Sequence, residues 1–271
     1  MSFLREKLNV LLATASVTYK EWAAYRTHSM VSIFVGPAYF LTQIAIWRAV
    51  YTSGDVGGMT LDQMIRYYGV STLIHYLIMD FAGWNLQMLI RTGRYLTFAL
   101  RPTHHRFFAL SQKIGHRVLG FIFEFLPVLA IFIIVFGIDL YPASWFWMIL
   151  SLTLGFLIQF YINYNIGIAG FWLTRTEGLR SVVMILTRVC SGSLFPLTLL
   201  PKSIQALAFI LPFQFTIYVP SMVFSGHYSL GGLSLSLPGI VGVQAIYALV
   251  LMCVSEALFR MGMKRFTAVG A

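Results

Sequence analysis

Four side chains able to move a proton or hold a charge fall inside otherwise apolar stretches: His75, Asp80, Glu124 and Glu256. An ionisable group in lipid is expensive, so each marks a proton relay, a substrate contact or a buried ion pair. His75 and Asp80 stand five residues apart in MIRYYGVSTLIHYLIMDFAGWNLQML, whereas Glu124 and Glu256 lie near the basic ends of their stretches. A relay needs several such groups at one depth along one path, and only His75 and Asp80 come near that. For Glu124 and Glu256, pairing with a nearby arginine or bonding to a neighbouring helix is the simpler expectation. The His104–His105 pair suggests a metal, but adjacent residues on a helix point about 100° apart, and no carboxylate is close in sequence. No metal site is expected. The chain also lacks a GxxxxGK[ST] loop to cradle a nucleotide, and it has no HExxH, CxxC or GxSxG.

These groups sit in a chain of 271 residues that is 58% hydrophobic and 10% charged. Soluble domains carry roughly 25% charged residues, so the chain reads as an all-α polytopic membrane protein. Six segments reach the roughly 20 residues that crossing a bilayer requires: about 29–50, 64–89, 118–138, 144–172, 181–200 and 238–260. Together they make residues 29–271 a single transmembrane domain. Pro37 and Pro127 fall within spans, where neighbouring helices must cover the missing backbone bonds. Ahead of the spans, residues 1–28 place Leu4, Leu8, Leu11, Leu12, Ala15, Tyr19 and Trp22 at helical spacing. That pattern predicts an amphipathic helix at the membrane interface.

Fifteen of the nineteen Lys and Arg residues fall in the N-terminal segment, the 90–117 connector, the 173–180 loop and the C-terminus. The positive-inside rule makes that face cytoplasmic and puts both termini on it. The net charge of +10 therefore reports topology, not nucleic-acid binding. Between spans five and six, the apolar stretch 201–237 is cut by Pro201, Pro212 and Pro220 into pieces too short to cross. Residues 201–226 are expected to dip back into the membrane as two re-entrant helices. Cys190 and Cys253 lie in apolar stretches and are expected as membrane-buried thiols.

The connector GRYLTFALRPTHHRFFALSQKIGHR (93–117) is basic and has no acidic residue. It turns at Arg101-Pro102 and then shows Phe107, Leu110 and Ile114 at helical spacing. Proline is well tolerated in a first helical turn. The pattern predicts a short cytoplasmic helix with an exposed aromatic edge, Phe107 and Phe108, in a basic surround. Such a helix suits a groove on a soluble partner or the headgroups of acidic lipids.

Two stretches carry a resemblance. The first is the connector with Gly93-Arg94 and Leu100-Arg101-Pro102 after the second span. The second is SGSLFPLTLLPKSIQALAFILPFQFTIYVPSMVFSG (191–226), with Phe195-Pro196, Pro201, Leu211-Pro212-Phe213, Pro220 and Gly226 in order. With the interfacial helix and six spans, the chain resembles the permease subunit of type-2 ATP-binding-cassette exporters, in a bacterial branch grouped with antibiotic and daunorubicin efflux systems. That family often has an acidic residue early in the connector. This chain has Thr97 there, so the position is given no role.

The resemblance implies a non-catalytic permease that works as a dimer in the bacterial inner membrane. Each copy would rest a coupling helix in a cleft of a separate ATPase, present as two copies or two related chains. Coupling would run through Leu100, Arg101, Pro102, Arg106, Phe107, Phe108 and Leu110, joined by Arg175 and Glu177 of the 173–180 loop. ATP and magnesium would belong to the ATPase, leaving this chain without a cofactor. An outer gate would be built around 201–226, with Phe195, Pro196, Phe213 and Phe215 as its plugs. The second permease would be identical or homologous, with a heterodimer slightly favoured. Spans with few charges suit amphipathic or lipid-like cargo. Two rivals stay open: a membrane-embedded transferase using His75 and Asp80, and a secondary transporter, which inverted repeats would favour.

Overall fold

The computed structural model describes residues 10–14, 16–20, 26–52, 54, 58–79, 82–101, 103–173 and 175–266. Asp80 and Pro102 lie outside that set, as do residues 1–9 and Trp22 of the expected interfacial helix. Residues 10–14 and 16–20 are helical (α1), and their buried side is hydroxylic: Thr14 and Thr18 are buried while Leu12, Val17 and Tyr19 face outward. Each threonine hydroxyl donates to the carbonyl four residues back.

Long helices follow: α2 (Arg26–Tyr51), α3 (Leu61–Ile78), α4 (Ala82–Arg91), the short α5 (Tyr95–Ala99) and α6 (His105–Gly120). A π-helical turn, Phe121–Phe125, joins α6 to α7 (Leu126–Ile134), and α8 (Trp145–Ile168) and α9 (Glu177–Cys190) come next. Then α10 (Lys202–Ile210), α11 (Tyr218–Ser225), a hairpin of β1 (Tyr228–Leu230) and β2 (Leu233–Leu235), and α12 (Leu237–Met263) complete the order. Among the described residues four stretches are long and apolar enough to cross a membrane: Val31–Tyr51, His105–Ile134, Trp145–Phe171 and Leu237–Met263. Their outward surfaces carry Phe34, Leu41, Ile134, Phe146, Ile246 and Leu249. A soluble monomer does not expose apolar area on this scale, so the protein is membrane-embedded.

Several expectations need correcting. The segment 64–89 is not one helix, because Met79 (φ −50°, ψ 130°) leaves the helical region and the chain resumes as α4. The fifth span does not cover 181–200 but is the 14-residue α9, ended by a turn in which Gly192 has φ +85°. At 1.5 Å per residue α9 is about 21 Å long, short of a ~30 Å hydrocarbon core. The connector helix is not separate from span three, since α6, the π turn and α7 run on as His105–Ile134. Pro127 brings no N–H to the ladder, and just ahead of it the ladder widens, with the Leu126 N–H bonding Phe121 O. The wide turn faces Phe121, Ile122 and Phe123 outward and turns Glu124 into the protein. The hairpin was not expected in an all-α chain; it pairs Tyr228 with Leu235 and Leu230 with Leu233.

The core is organised around α8, against which α4, α12, α3 and α11 pack. Gln244 of α12, fully buried, ties three elements together. Its Oε1 accepts from Ser151 Oγ at 2.9 Å, and its Nε2 donates to the carbonyls of Ser151 and Phe215, each at 2.9 Å. The two segments that the prolines keep from being one helix are satisfied in the same way. Gln205 donates to the carbonyls of Leu200 and Thr198 and accepts from the Gly231 N–H, while Gln214 donates to Phe209 O and accepts from Tyr228 Oη.

A phenol also enters α2. Tyr76 Oη accepts from the Gly36 N–H and donates to Ser32 O, the donor and acceptor that an α-helix pairs with each other. A Cβ on Gly36 would stand 2.5 Å from the Tyr76 ring, so only glycine admits the phenol here. Gly36→Ala should therefore cost about 1–3 kcal/mol by overpacking, and Tyr76→Phe about 1–3 kcal/mol by leaving buried groups unsatisfied. Because both remove the same bridge, the double variant should lose less than the sum. Thermal unfolding of the detergent-solubilised proteins measures this.

Candidate functional site

The turn that ends α9 exposes backbone carbonyls at membrane depth, and tyrosines reach them. Tyr67 Oη donates to Gly192 O at 2.7 Å, Tyr39 Oη to Ser193 O at 3.1 Å and Tyr68 Oη to Leu194 O at 2.6 Å. Consecutive tyrosines on α3, with one from α2, thus replace the helical partners that the broken segment lacks. On the other side of the turn, the Tyr218 N–H donates to Ser191 O at 2.8 Å, and the Tyr67 and Tyr218 rings lie 6.5 Å apart. Gly192 sits between them: an added Cβ would lie 2.6 Å from Tyr67 Oη and 3.0 Å from Tyr218 Cβ.

This layer separates two cavities. Toward the basic end lies a groove of about 350 Å³ between the end of α3, α8, α9 and the segment before α11. Its polar lining is His75, Gln159, Asn163, Arg180, Thr187 and Arg188. Ser191, Thr216 and Ile217 close it toward the tyrosine layer. His75 is exposed among otherwise buried neighbours on α3, and its side chain opens on the groove. Two arginines thus face the groove, although the spans carry few charges. Arg188 stood in plain view as the one ionisable residue in the stretch 181–200, and its depth in that stretch was the signal that marks it. Toward the opposite end a second cavity of about 510 Å³ is lined by Gln63, Arg66, Tyr67, Pro196, Tyr218 and His227 among others. Arg66 is held at its rim by Asp139 Oδ2 at 3.3 Å and Tyr141 O at 3.2 Å, with its guanidinium 5.4 Å from the Phe224 ring centroid.

The other residues singled out in the sequence fall as follows. Pro196 lines the second cavity, whereas Phe213 and Phe215 are packed in the core, Phe215 with its ring 4.3 Å from that of Tyr247. Phe195 is half-buried and lines neither cavity. Tyr67 and Tyr218, which sequence reasoning did not single out, occupy the layer instead. Glu256 pairs with Arg260 at 2.7 Å and Arg106 at 3.0 Å. Glu124 is buried beside Gly120, where an added Cβ would lie 3.3 Å from Glu124 Oε2 and 3.8 Å from Arg117 Nη1. Among the described residues no His, Cys, Asp and Glu side chains are grouped to hold a metal.

The connector folds back on the protein. Phe98, Tyr95, Ala109 and the half-buried Phe108 and Leu110 join a cluster with Leu86, Phe160 and Tyr164. The expectation of an exposed aromatic edge is corrected: Phe107 and Phe108 are only part-exposed, and Phe108 packs 5.2 Å from Phe98. Burial pushes the Tyr95 phenol up to about 12. The exposed apolar side chains are instead Leu96 and Leu100, the latter 82% exposed. Arg101 is exposed beside them, its guanidinium 5.0 Å from the Phe98 ring. Two contacts anchor the start of α6: His105 Nδ1 lies 3.1 Å from Tyr164 Oη on α8, and Arg106 pairs with Glu256 on α12. Arg175 and Glu177 are exposed at the start of α9.

An apolar exterior, broken helices and two cavities that meet at a tyrosine layer are the features of a membrane transport component. A family model described as "ABC-2 family transporter protein" matches residues 38–270, and the chain belongs to that family. Searches of curated proteins and of solved structures found no match.

The layer depends on Gly192. Gly192→Ala adds a left-handed backbone penalty to the clash with Tyr67, and it should destabilise by about 1–3 kcal/mol. A Cβ on Gly178, at the opposite end of α9, meets nothing within 4 Å, so Gly178→Ala should stabilise by up to about 1 kcal/mol. Paired melting curves of the two variants report the contrast.

Proposed function

We propose that this chain is the permease of an ATP-driven exporter, forming the cargo path as a dimer and driven by separate ATPase subunits. Membership of the ABC-2 family supports the partnership. The observation that carries the coupling is the tip of the connector. Leu96 and Leu100 stand one helical turn apart and exposed, with Arg91, Arg94 and Arg101 around them. Beneath them an aromatic cluster makes the tip a rigid knob rather than a loose loop. An apolar knob with a basic rim fits a groove on a soluble subunit.

Force applied at Leu100 would reach the membrane by two routes. One is α6 itself, which continues through the π turn into α7. The other is the pair of ties from His105 and Arg106 to α8 and α12. Movement of α8 and α12 against α3 would open or close the layer at Tyr67 and Tyr218, exposing the groove to one side in turn. Phe195, Pro196, Phe213 and Phe215 would then support the outer side of that layer, Pro196 from the cavity wall. Arg175 and Glu177 would give a second contact to the ATPase, which would carry the ATP and magnesium. The basic ends of the helices support a bacterial inner-membrane protein with both termini cytoplasmic. The dimer partner would be a second permease, with a homologous chain slightly favoured over an identical one. The cargo would be amphipathic or lipid-like.

Tagged protein purified gently from its native membrane should bring down an ATPase subunit, identified by mass spectrometry. Leu100→Asp should cut that recovery at least about tenfold, as burying an unpaired charge in a contact costs several kcal/mol, while Arg265→Gln leaves it unchanged. A second, unlike permease in the eluate would establish the heterodimer. Absence of any ATPase from the wild-type eluate, or full recovery with Leu100→Asp, would overturn the coupling.

A further inference from the structure

The basic groove has a chemistry that the export reading does not supply. Arg188 stands eight residues beyond Arg180 on α9, about 12 Å along the helix, and both line the same cavity. Across from them α8 presents Gln159 and Asn163 one turn apart, and α3 presents His75. Among the described lining residues there is no Asp or Glu. Arg188 forms no salt bridge with a carboxylate of the described residues, unlike Arg66, Arg106 and Arg260. A guanidinium at that depth costs free energy unless something of opposite charge comes to it. Side-chain amides facing the same groove, from Gln159 and Asn163, are groups that can add N–H donors to an oxyanion held by arginine.

We propose that the groove binds the acidic headgroup of an amphiphile, a phosphate or carboxylate, with Arg180 receiving it at the mouth and Arg188 holding it beneath the tyrosine layer. A cavity of about 350 Å³ holds a headgroup but not a long acyl chain. The chain has a place to lie: Val182, Met184, Ile185 and Leu186 of α9 are exposed and apolar beside the arginines. The headgroup is thus read by charge and the tail by the lipid-facing side of one helix. This assignment rests on the transport reading only for the meaning of the bound ligand as cargo.

Binding to the purified permease in phosphatidylcholine nanodiscs, with no ATPase present, tests it. The probe is a fluorescent short-chain phosphatidic acid, compared with the matching phosphatidylcholine. Phosphatidic acid should bind and phosphatidylcholine should not. Arg188→Gln should weaken binding roughly 10- to 100-fold, the range for hydrogen bonds to a charged group, with Arg188→Lys recovering most of it. Arg180→Gln, at the other end of the groove, gives a second variant, and it should weaken binding as well. Arg265→Gln, outside the groove, should leave binding unchanged. Equal binding of the two lipids, or groove variants no weaker than Arg265→Gln, would overturn the proposal. Displacement by inorganic phosphate at concentrations as low as those of the lipid would assign the site to a soluble anion and overturn the headgroup. Because no ATPase enters this assay, failure here and failure of the pull-down are separable.

Discussion

Backbone groups freed inside a membrane must find partners within the protein, because lipid offers none. This chain breaks its helices at membrane depth repeatedly, after Ile78, after Cys190 and at each of Pro201 and Pro212. The breaks between α9 and α12 are met by long polar side chains, most of them from other elements. Phenols from α2 and α3 satisfy the turn after α9, and Gln205, Gln214 and Gln244 satisfy the segment between α9 and α12. The unusual number of tyrosines, 14 in all, has a physical reason here: a phenol can cross an apolar layer and still deliver a donor at its tip.

The same requirement positions the candidate site. If α9 ran on as a helix to residue 200, there would be no turn at Gly192 and no gap for Tyr67 and Tyr218 to fill. Because it stops, the groove ends at the layer and the second cavity begins beyond it. The connector follows a similar logic at the basic end, where Tyr95, Phe98 and Phe108 are spent on holding a short exposed tip firm.

Much of this was legible in the sequence. Apolar length and the Lys and Arg distribution marked a polytopic helical protein, and Pro201, Pro212 and Pro220 marked a segment too broken to cross. Other features were hidden for identifiable reasons. The continuity of α6 into α7 was obscured by the fall in hydropathy at Lys113–Arg117, although a helix does not end where its polarity changes. The hairpin was signalled by Gly231-Gly232 between HYSL and LSLS, a turn pair flanked by alternating residues, but an apolar context masked it. Tyr67 and Tyr218 carried no signal of their own, since their role depends on Gly192, 125 residues from Tyr67 in the chain. Arg188 was legible as the sole charged side chain in 181–200, but the groove it faces is formed by α3, α8 and α9 together.

The thinness of the tyrosine layer has an electrical consequence. Water filling the groove and the second cavity would bring a high dielectric up to both sides of this layer. The voltage across the bilayer would then fall mainly over the layer of Tyr67, Tyr218 and Gly192, not over the full ~30 Å of hydrocarbon. Carrying one elementary charge through that layer exchanges about 2.3 kcal/mol with each 100 mV of membrane potential. In a cell whose interior is negative, a negatively charged ligand leaving the groove outward moves with this field, and one entering moves against it. An anion held in the groove as proposed would thus be drawn outward by the field itself, apart from any ATP hydrolysis.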